Sequence, residues 1–244
     1  MSVERRLMDE VDRLRGDVVE YTRGMVRIRS ENPPGDETEI SDHVSELLAS
    51  LGFDVEQVES RPKRVNTLGL LEGAGGGETL LWNGHHDTVP VGNLAYWTVD
   101  PFGGEVRDGR IYGRGTGDMK GAIASAMVAA KALGNLGLRL RGDLRIHAVA
   151  DEEFFGRYGT KYLCENGYVD GVDAAIVGEG STTGGVVMAR PAVRGRTLVN
   201  IRVKGRSAHS SRPETGVNAV LKMGKVLLAI DETGFSYPRH PVLP

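Results

Sequence analysis

The sequence predicts an α/β protein, in which a mostly parallel sheet is flanked by helices and is followed by part of a second domain. Up to residue 184, apolar runs of strand length alternate with segments of helical periodicity, a pattern typical of a sheet covered by helices. From residue 185 one long alternating segment and one helical segment follow, which is too little to bury a core alone. We therefore expect one domain at residues 1–184 and the first part of another at residues 185–244.

The elements of the first domain follow in order along the chain. One long amphipathic helix is expected before the SENPPGDE loop, because apolar residues recur near helical spacing at Leu7, Val11, Leu14, Val18 and Met25. A second helix, in ETEISDHVSELLASLG, ends at Gly52. Strands are expected at residues 53–58, 66–72 and 79–83, and then a small-residue helix in GAIASAMVAAKAL. DLRIHAVA and DAAIVG predict two more strands, with a helix around Lys161 between them.

The second domain begins with a different pattern. RTLVNIRVKG alternates inward and outward residues, as a half-exposed strand does. PETGVNAVLKMGKVLLAI then predicts a helix that opens at Pro213. TGFSYPRHPVLP, at the end, is typical of a loop.

The bulk composition excludes several classes of protein. The 244 residues carry a net charge of −3, which gives no reason to expect nucleic acid or an anionic membrane as a partner. A single cysteine, Cys164, excludes an intrachain disulfide and fits a reducing compartment. The charged start MSVERRLMDEVDRL is unlike a secretory signal, and no apolar run is long enough to span a bilayer. We therefore expect a soluble, cytoplasmic protein.

Chemically active side chains recur at one place in this architecture, where a strand ends or a helix begins. The residues that share this placement are His85, Asp87, Asp118, Glu152, Glu153 and Glu179. Open α/β sheets gather their ligand sites there. Each motif alone is typical of a solvated loop, and His86 rather than His85 could be the functional histidine. Together, a histidine and carboxylates from separate strands indicate a first-row metal site, while the lack of a cysteine cluster excludes a structural zinc finger.

Charge balance favours two metal ions over one. Asp118, Glu153 and Glu179 supply three negative charges, and a bridging hydroxide would supply a fourth, which two divalent ions would neutralise. Adjacent residues of an extended segment point opposite ways, so Glu152 and Glu153 should not both bind metal. One would be a ligand, and the other could take a proton from metal-bound water, whose pKa falls to about 7. This division of roles describes amide hydrolysis.

Five ordered motifs resemble those of the M20 metallopeptidase family. They are GHHDTVP, DPFGGEVRDGRIYGRGTGDMKG, ADEEFFGRYGT, VGEGS and GRSAHSSRPETGVNAV. The resemblance runs from about residue 20 to the end and is strongest to the acetylornithine deacetylase and desuccinylase branch. It implies a site for up to two Zn²⁺ ions, or Co²⁺ or Mn²⁺. It also implies that His85 is a ligand of the first metal, and that the Asp87 carboxylate orients His85.

The resemblance implies roles for the other four acidic positions. Asp118 would bridge the two metals, and the peptide bond after it is typically cis in the family. Glu152 would be the general base. Glu153 would be a ligand of the second metal, and Glu179 a ligand of the first.

The second domain resembles the family's α+β lid, or dimerisation domain, which is inserted into the catalytic domain after the Glu179 segment. His209, in GRSAHSSRP, would polarise the substrate carbonyl, usually from the partner subunit of a homodimer. Asn218 would contribute to substrate binding. A full-length member returns to the catalytic domain and supplies a last histidine to the second metal, whereas this chain stops at Pro244. We therefore expect the first metal to be favoured and the second to be weak.

Our prediction is a metal-dependent hydrolase that cleaves the amide bond of an N-acyl amino acid. Two alternatives stay open: a dipeptidase or carboxypeptidase of the same family, and an inactive relative or fragment that keeps the fold and at most one metal. A dinucleotide site is excluded because the sixth position of GRGTGD is Asp118, a negative charge where a pyrophosphate would lie. No G-x-S-x-G motif occurs, so a serine nucleophile elbow is excluded.

Four further residues carry weaker expectations. Cys164 should pack rather than act as a nucleophile, and His147, inside a strand, should be structural. Arg190 and Arg194 could meet a substrate carboxylate, but solvated arginine is the better interpretation.

Overall fold

The structure, a computed structural model, describes residues 1–180, 182–183, 186–189 and 197–236. The chain forms two compact units, Met1–Gly180 and Ser181–Pro244. The boundary expected between residues 184 and 185 lies outside the described residues, so the division into a catalytic domain and a lid domain stays a prediction. Within the described part of the chain, no helix has both the length and the apolar character that crossing a membrane requires.

The regular elements are named in chain order. The helices are α1 (Val3–Arg13), α2 (Arg15–Arg27), α3 (Thr38–Ser50), α4 (Gly121–Asn135), α5 (Thr160–Glu165) and α6 (Ala219–Glu232). The strands are β1 (Asp54–Arg61), β2 (Arg64–Leu71), β3 (Leu80–His85), β4 (Glu105–Arg107), β5 (Arg110–Tyr112), β6 (Leu144–Val149), β7 (Ala174–Val177), β8 (Thr182–Thr183) and β9 (Val186–Val187). β4 and β5 form a small hairpin, as do β8 and β9.

One five-stranded sheet organises the first unit, in the order β1-β2-β6-β3-β7. β3 pairs in parallel with both β6 and β7, whereas β2 pairs antiparallel with β1 and β6. Four strands of this sheet therefore point the same way and β2 opposes them, which confirms the predicted α/β class with a mostly parallel sheet. Because β6, β3 and β7 are parallel neighbours, their carboxyl ends lie side by side at one edge, where α/β folds place their ligand sites.

The middle strand β6 is covered on both faces of the sheet. Ile146 and Ala148 of β6 pack into the main core against apolar side chains of α2, α3 and α4, among them Met25, Ile40, Val44, Leu48, Ile123 and Met127. The next residue, Val149, points to the other face, where it packs with Leu163 of α5 in a smaller cluster. The end of β6 is therefore anchored in buried, close-packed surroundings, whereas β7, which leads to Glu179, is exposed along its length.

The prediction of one long first helix is wrong. α1 ends at Arg13 and α2 begins at Arg15, with Leu14 between them. The Leu14 N–H donates to two carbonyls of the last turn of α1, which closes that helix. Gly16, a poor helix former, follows at once. Both halves contact α4, which explains why a single apolar periodicity runs through them.

The prediction of a strand in RTLVNIRVKG is also wrong for residues 197–205, which are the part of this segment that the structure describes. These residues form no strand, and the nearby pairing is an isolated bridge between Arg206 and Val217. A strand needs a hydrogen-bonded neighbour for its backbone groups. Alternation of residue types indicates which side chains would face inward, but it does not supply that neighbour.

The last helix starts later than predicted. Pro213 opens a 3-10 turn, Pro213–Thr215, and α6 begins at Ala219. The Asn218 side-chain carbonyl accepts hydrogen bonds from the N–H groups of Val220 and Leu221, at 3.0 and 3.2 Å. This N-cap satisfies donors that the helix itself leaves unpaired, and it fixes the start of α6 at Asn218 rather than at the proline.

Two single residues of the first unit can also be placed. His147 is buried in β6, and burial lowers its pKa to about 4, as expected for a structural histidine. Cys164 lies in α5 but is exposed, so the expectation that it packs is wrong. Its neighbour Leu163 is the residue of this helix that points inward.

Candidate metal centre

Several chain segments meet at the carboxyl edge of the sheet. β3 ends at His85, β6 at Val149 and β7 at Val177, so the residues at and after these ends emerge side by side. Asp118 comes from another direction, in the kinked turn Thr116–Lys120 that precedes α4, and the peptide bond after it is cis. β3 is longer than predicted, so His85 is its last residue rather than part of the following loop.

His85 lies at the centre of a group of carboxylates. Its Nε2 atom is 3.0 Å from Asp118 Oδ1, 3.7 Å from Glu179 Oε2 and 3.8 Å from Glu152 Oε2. The imidazole is buried and the three carboxylates are about half exposed, so the cluster opens to solvent on its acidic side. One ligand atom from each of His85, Asp118 and Glu179 lies within 4.8 Å of the others.

The orientation of the His85 ring is set by Asp87. The Nδ1 atom lies 2.9 Å from the Asp87 backbone oxygen and 3.4 Å from its Oδ1 atom. Both atoms are acceptors, so Nδ1 carries a proton that donates to them. Nε2 faces the carboxylates and donates to Asp118 when the ring is protonated, and this nitrogen would offer its lone pair to a bound cation. Neighbouring His86 points elsewhere, because its Nε2 atom lies 3.0 Å from the Val65 carbonyl oxygen.

The electrostatics of the cluster favour a positive charge. Burial disfavours a charged imidazole, but the carboxylates of Asp118, Asp87 and Glu179 outweigh it and raise the pKa of His85 to about 12. The same contact with His85 holds the pKa of Asp118 below its usual value, against the effect of burial. One imidazole and several carboxylate oxygens form a donor set that suits a divalent first-row metal, so the residues present fit the predicted ion.

Glu152 and Glu153 point to different places, although they lie in a 3-10 turn, Glu152–Phe154, and not in the extended segment from which this was predicted. Both backbone N–H groups donate to the Asp87 carboxylate, at 3.1 and 3.2 Å. The Glu153 side chain turns to the Val89 N–H, at 3.1 Å, whereas the Glu152 side chain faces His85. Burial raises the pKa of both carboxyl groups, a change that makes a carboxylate a better proton acceptor.

Two glycines bring Glu179 to His85. A β-carbon on Gly178 would overlap the indole of Trp82, and one on Gly180 would lie 2.8 Å from the Gly117 carbonyl oxygen. The loop after β7 can therefore pass this close to β3 and to the Asp118 turn only with glycine at both positions. The motif GEG, which alone is typical of a loop, is explained by this close approach.

We expect the substitution Gly178→Ala to weaken cation binding about tenfold, because the added methyl group must push the loop, and with it Glu179, away from His85. Isothermal titration with Co²⁺ measures the affinity. The matched control is Gly134→Ala in α4, where an added β-carbon meets nothing within 4 Å. Equal Co²⁺ affinities for the two variants would contradict this role of Gly178.

Sequence reasoning missed two polar residues behind the cluster, Asn32 and Arg64. Asn32 donates to Asp87 and to Asp151, and Arg64 donates to Asn32. Asn32 lies in the loop before α3 and Arg64 starts β2, so no strand-end rule points to either. The one available signal was the polar, proline-rich loop itself, SENPPGDE, which an ordinary surface turn would explain equally well.

Two predicted residues belong to the second unit and are described only within it. His209 is exposed, and its Nδ1 atom accepts a hydrogen bond from the Ser211 N–H at 3.2 Å. A neutral ring with this bond carries its proton on Nε2 and can donate from there. Asn218 is exposed and uses its side-chain oxygen to cap α6, so its role in substrate binding stays a prediction. Arg190 and Arg194 lie outside the described residues.

A parallel strand edge that gathers an imidazole and three carboxylates defines an α/β protein with a candidate site for a divalent metal ion. The chain belongs to peptidase family M20/M25/M40, whose family model matches residues 81–238.

Two relatives illustrate the similarity in sequence. The chain is 32% identical over 204 residues to the probable succinyl-diaminopimelate desuccinylase of Staphylococcus epidermidis, which covers 84% of this chain and 48% of that protein. It is 30% identical over 240 residues to the N-formyl-4-amino-5-aminomethyl-2-methylpyrimidine deformylase of Halalkalibacterium halodurans, which covers 95% of this chain and 56% of that protein. The chain thus spans about half the length of these curated relatives.

Solved structures show the same fold at lower sequence identity. Human carnosine dipeptidase 1 superposes with a TM-score of 0.62 at 22% identity, over 71% of this chain and 40% of that one. The M20 family metallo-carboxypeptidase from Sulfolobus solfataricus gives a TM-score of 0.59 at 21% identity, over 66% and 37%. At this identity the likeness supports the fold alone.

Proposed function

We propose that the protein is a metal-dependent hydrolase that cleaves the amide bond of an N-acyl amino acid. The observation that carries this proposal is the meeting of His85, Asp118 and Glu179 around one point, with Glu152 beside them. Family membership supports an amide or peptide bond as the target. The desuccinylase and the deformylase among the relatives support removal of an acyl group from nitrogen.

In the proposed reaction each residue has a defined task. A divalent cation, when bound, supplies Lewis-acid activation of water and of the scissile carbonyl. His85, Asp118 and Glu179 would hold it, and Asp87 keeps His85 in the tautomer that can bind metal. Glu152 takes a proton from the attacking water at its carboxylate and passes it to the leaving amine nitrogen.

Further parts of the proposal come from the family resemblance. Glu153 and Asp118 would hold a second cation, weakly, because no further ligand is available to it among the predicted residues. Zn²⁺ is the proposed ion, with Co²⁺ or Mn²⁺ as substitutes. His209 would donate to the carbonyl oxygen and stabilise the oxyanion, from the partner subunit of a homodimer in proteins of full family length, and Asn218 would contribute to substrate binding. We propose a cytoplasmic location, which fits a chain with a single cysteine.

Metal titration with a hydrolysis assay tests this function. Zn²⁺ or Co²⁺ at about 100 times its dissociation constant should stabilise the fold by about 2.7 kcal/mol, seen as a higher melting temperature that EDTA reverses. The loaded protein should then release the acyl group from N-succinyl or N-acetyl amino acids. Cleavage of dipeptides alone would favour the peptidase alternative. Metal binding without any turnover would leave the inactive relative, and no stabilisation by any divalent ion would refute the metal site.

A further inference from the structure

A buried polar network supports the candidate site from behind. Its members come from the loop before α3, from the start of α3 and β2, and from the segment after β6; they are Asn32, Glu37, Arg64 and Asp151. Asn32, Glu37 and Asp151 are almost completely buried, and the Arg64 side chain is only 11% exposed. None of these residues belongs to the cluster around His85, so the network needs an explanation of its own.

Asn32 connects the two sides of the site. Its single amide nitrogen donates to Asp87 Oδ2 at 2.9 Å and to Asp151 Oδ1 at 3.1 Å. Both hydrogens of the amide are therefore used, one on each carboxylate. Asp87 orients the ring of His85, and Asp151 directly precedes Glu152 and Glu153 in the chain. One neutral side chain thus ties the histidine of the cluster to the segment that carries the proposed base.

Arg64 fixes which way the Asn32 amide faces. Its Nη2 atom donates to Asn32 Oδ1 at 3.0 Å and lies 3.6 Å from Asp151 Oδ1, while Nη1 donates to Glu37 at 2.6 Å. A reversed amide would put its oxygen against two carboxylates and its nitrogen against the guanidinium, so one orientation is strongly favoured. Gly35 makes room for this arginine, because a β-carbon there would overlap the guanidinium.

Both oxygens of Asp87 are fully engaged as a result. Oδ2 accepts from Asn32 and from the Glu153 N–H, and Oδ1 accepts from the Glu152 N–H beside His85. The Asp151 carboxylate is held as well, because its other oxygen accepts from the Tyr158 N–H at 3.1 Å. A carboxylate saturated in this way has one favourable rotamer. Its angle then determines both the ring plane of His85 and the course of the backbone at Glu152.

We propose that Asn32 and Arg64 are positioning residues, which set the angle of the Asp87 carboxylate and thereby the placement of Glu152 and His85 relative to each other. The proposal rests on the proposed function only in assuming that this placement of Glu152 and His85 serves catalysis. The geometric claim does not depend on turnover. It says that Asn32 and Arg64 hold the Asp87 carboxylate and the Asp151–Glu153 backbone in fixed positions relative to each other.

Two variants with matched controls test the proposal. Asn32→Leu keeps a similar volume but removes both donors, and Arg64→Lys keeps the charge but cannot reach Glu37, Asn32 and Asp151 together. The controls are Asn135→Leu, whose surface amide contacts Glu10, and Arg61→Lys, whose guanidinium contacts the Tyr158 hydroxyl. Each control makes the same chemical change away from Asp87.

Two readouts separate positioning from simple loss of stability. Asn32→Leu should weaken Co²⁺ binding roughly tenfold or more, with a smaller loss for Arg64→Lys, as is typical when partners of metal ligands are removed. Hydrogen exchange at the Glu152 and Glu153 amides should become faster in both variants, because their acceptor is no longer held, while exchange in the middle of α4 should not change. Both controls should match the wild type.

The outcomes are distinguishable from failure of the proposed function. If the variants only melt at a lower temperature, with Co²⁺ affinity and local exchange like the controls, the positioning role is overturned. If the wild type binds Co²⁺ without hydrolysing any substrate, the hydrolase proposal fails and the affinities still decide the positioning role. If the wild type binds no Co²⁺, hydrogen exchange at Glu152 and Glu153 alone decides it: faster exchange supports the role, and unchanged exchange overturns it.

Discussion

Replacing Glu152 with glutamine should lower kcat for amide hydrolysis about 1000-fold and leave cation affinity nearly unchanged. A positioned general base contributes about 10²- to 10⁴-fold to such reactions, and glutamine cannot accept the proton. The Glu152 carboxylate lies 3.8 Å from His85 Nε2, outside the group of atoms that fit one ion, so its loss should not empty the site. Steady-state kinetics with an N-acyl amino acid and Co²⁺ calorimetry measure the two effects.

The control for this substitution is Glu165→Gln. Glu165 ends α5, where it is exposed and forms an ion pair of 3.7 Å with Lys161, so the same chemical change there should alter neither kcat nor affinity. Retention of more than about a tenth of the wild-type kcat in Glu152→Gln would exclude it as the base. Glu153 would then be the residue to test next, because its backbone is held by the same carboxylate.

The substitution Asp118→Asn should have the largest effect on metal binding. Asp118 makes the shortest contact with His85 Nε2 in the cluster, 3.0 Å, and its pKa is held low by that imidazole. An asparagine removes one negative charge and offers only a neutral oxygen to the ion. The affinity for Zn²⁺ or Co²⁺ should therefore fall by more than the roughly 100-fold that is typical of residues which only support a ligand.

Asp108→Asn is the matched control for this experiment. Asp108 is exposed and adopts a positive φ of 53°, a conformation that asparagine also tolerates. Calorimetry should give the wild-type affinity for this control. A cation affinity of Asp118→Asn within about tenfold of the wild type would show that the ion is held by other residues, and the proposed centre would be wrong.

The approach of His85 and Glu179 could be predicted from sequence because it depends on topology, and Asp118 was placed with them because it directly precedes a helix. In a sheet with parallel neighbours, residues after different strands must meet at one edge, whatever their separation in the chain. The strands themselves are short apolar runs that sequence reasoning locates to within a few residues. The supporting contacts of Asn32 and Arg64 could not be predicted, because side-chain hydrogen bonds depend on loop conformations that no periodicity encodes.

The failures in secondary structure have a common physical origin. Periodicity reports which residues face the core, and it continues through Leu14 although the backbone there leaves the helix. In the same way, alternation over residues 197–205 is compatible with a strand but does not supply a partner for it. Asn218 shows the opposite case, because the N-cap rule alone predicts the start of α6 correctly, whereas the rule for proline predicts a start at Pro213, which opens a separate 3-10 turn.

Because both oxygens of the Asp87 carboxylate are engaged, this residue limits how the site can change over evolutionary time. Since the Asp87 side chain contacts both His85 and the backbone at Glu152 and Glu153, a substitution at Asp87 should alter metal binding and proton transfer together. Substitutions at Asp87 should be epistatic with those at position 32. A laboratory library that aims at a different ion or a faster turnover would therefore do better to randomise these two positions jointly than one at a time.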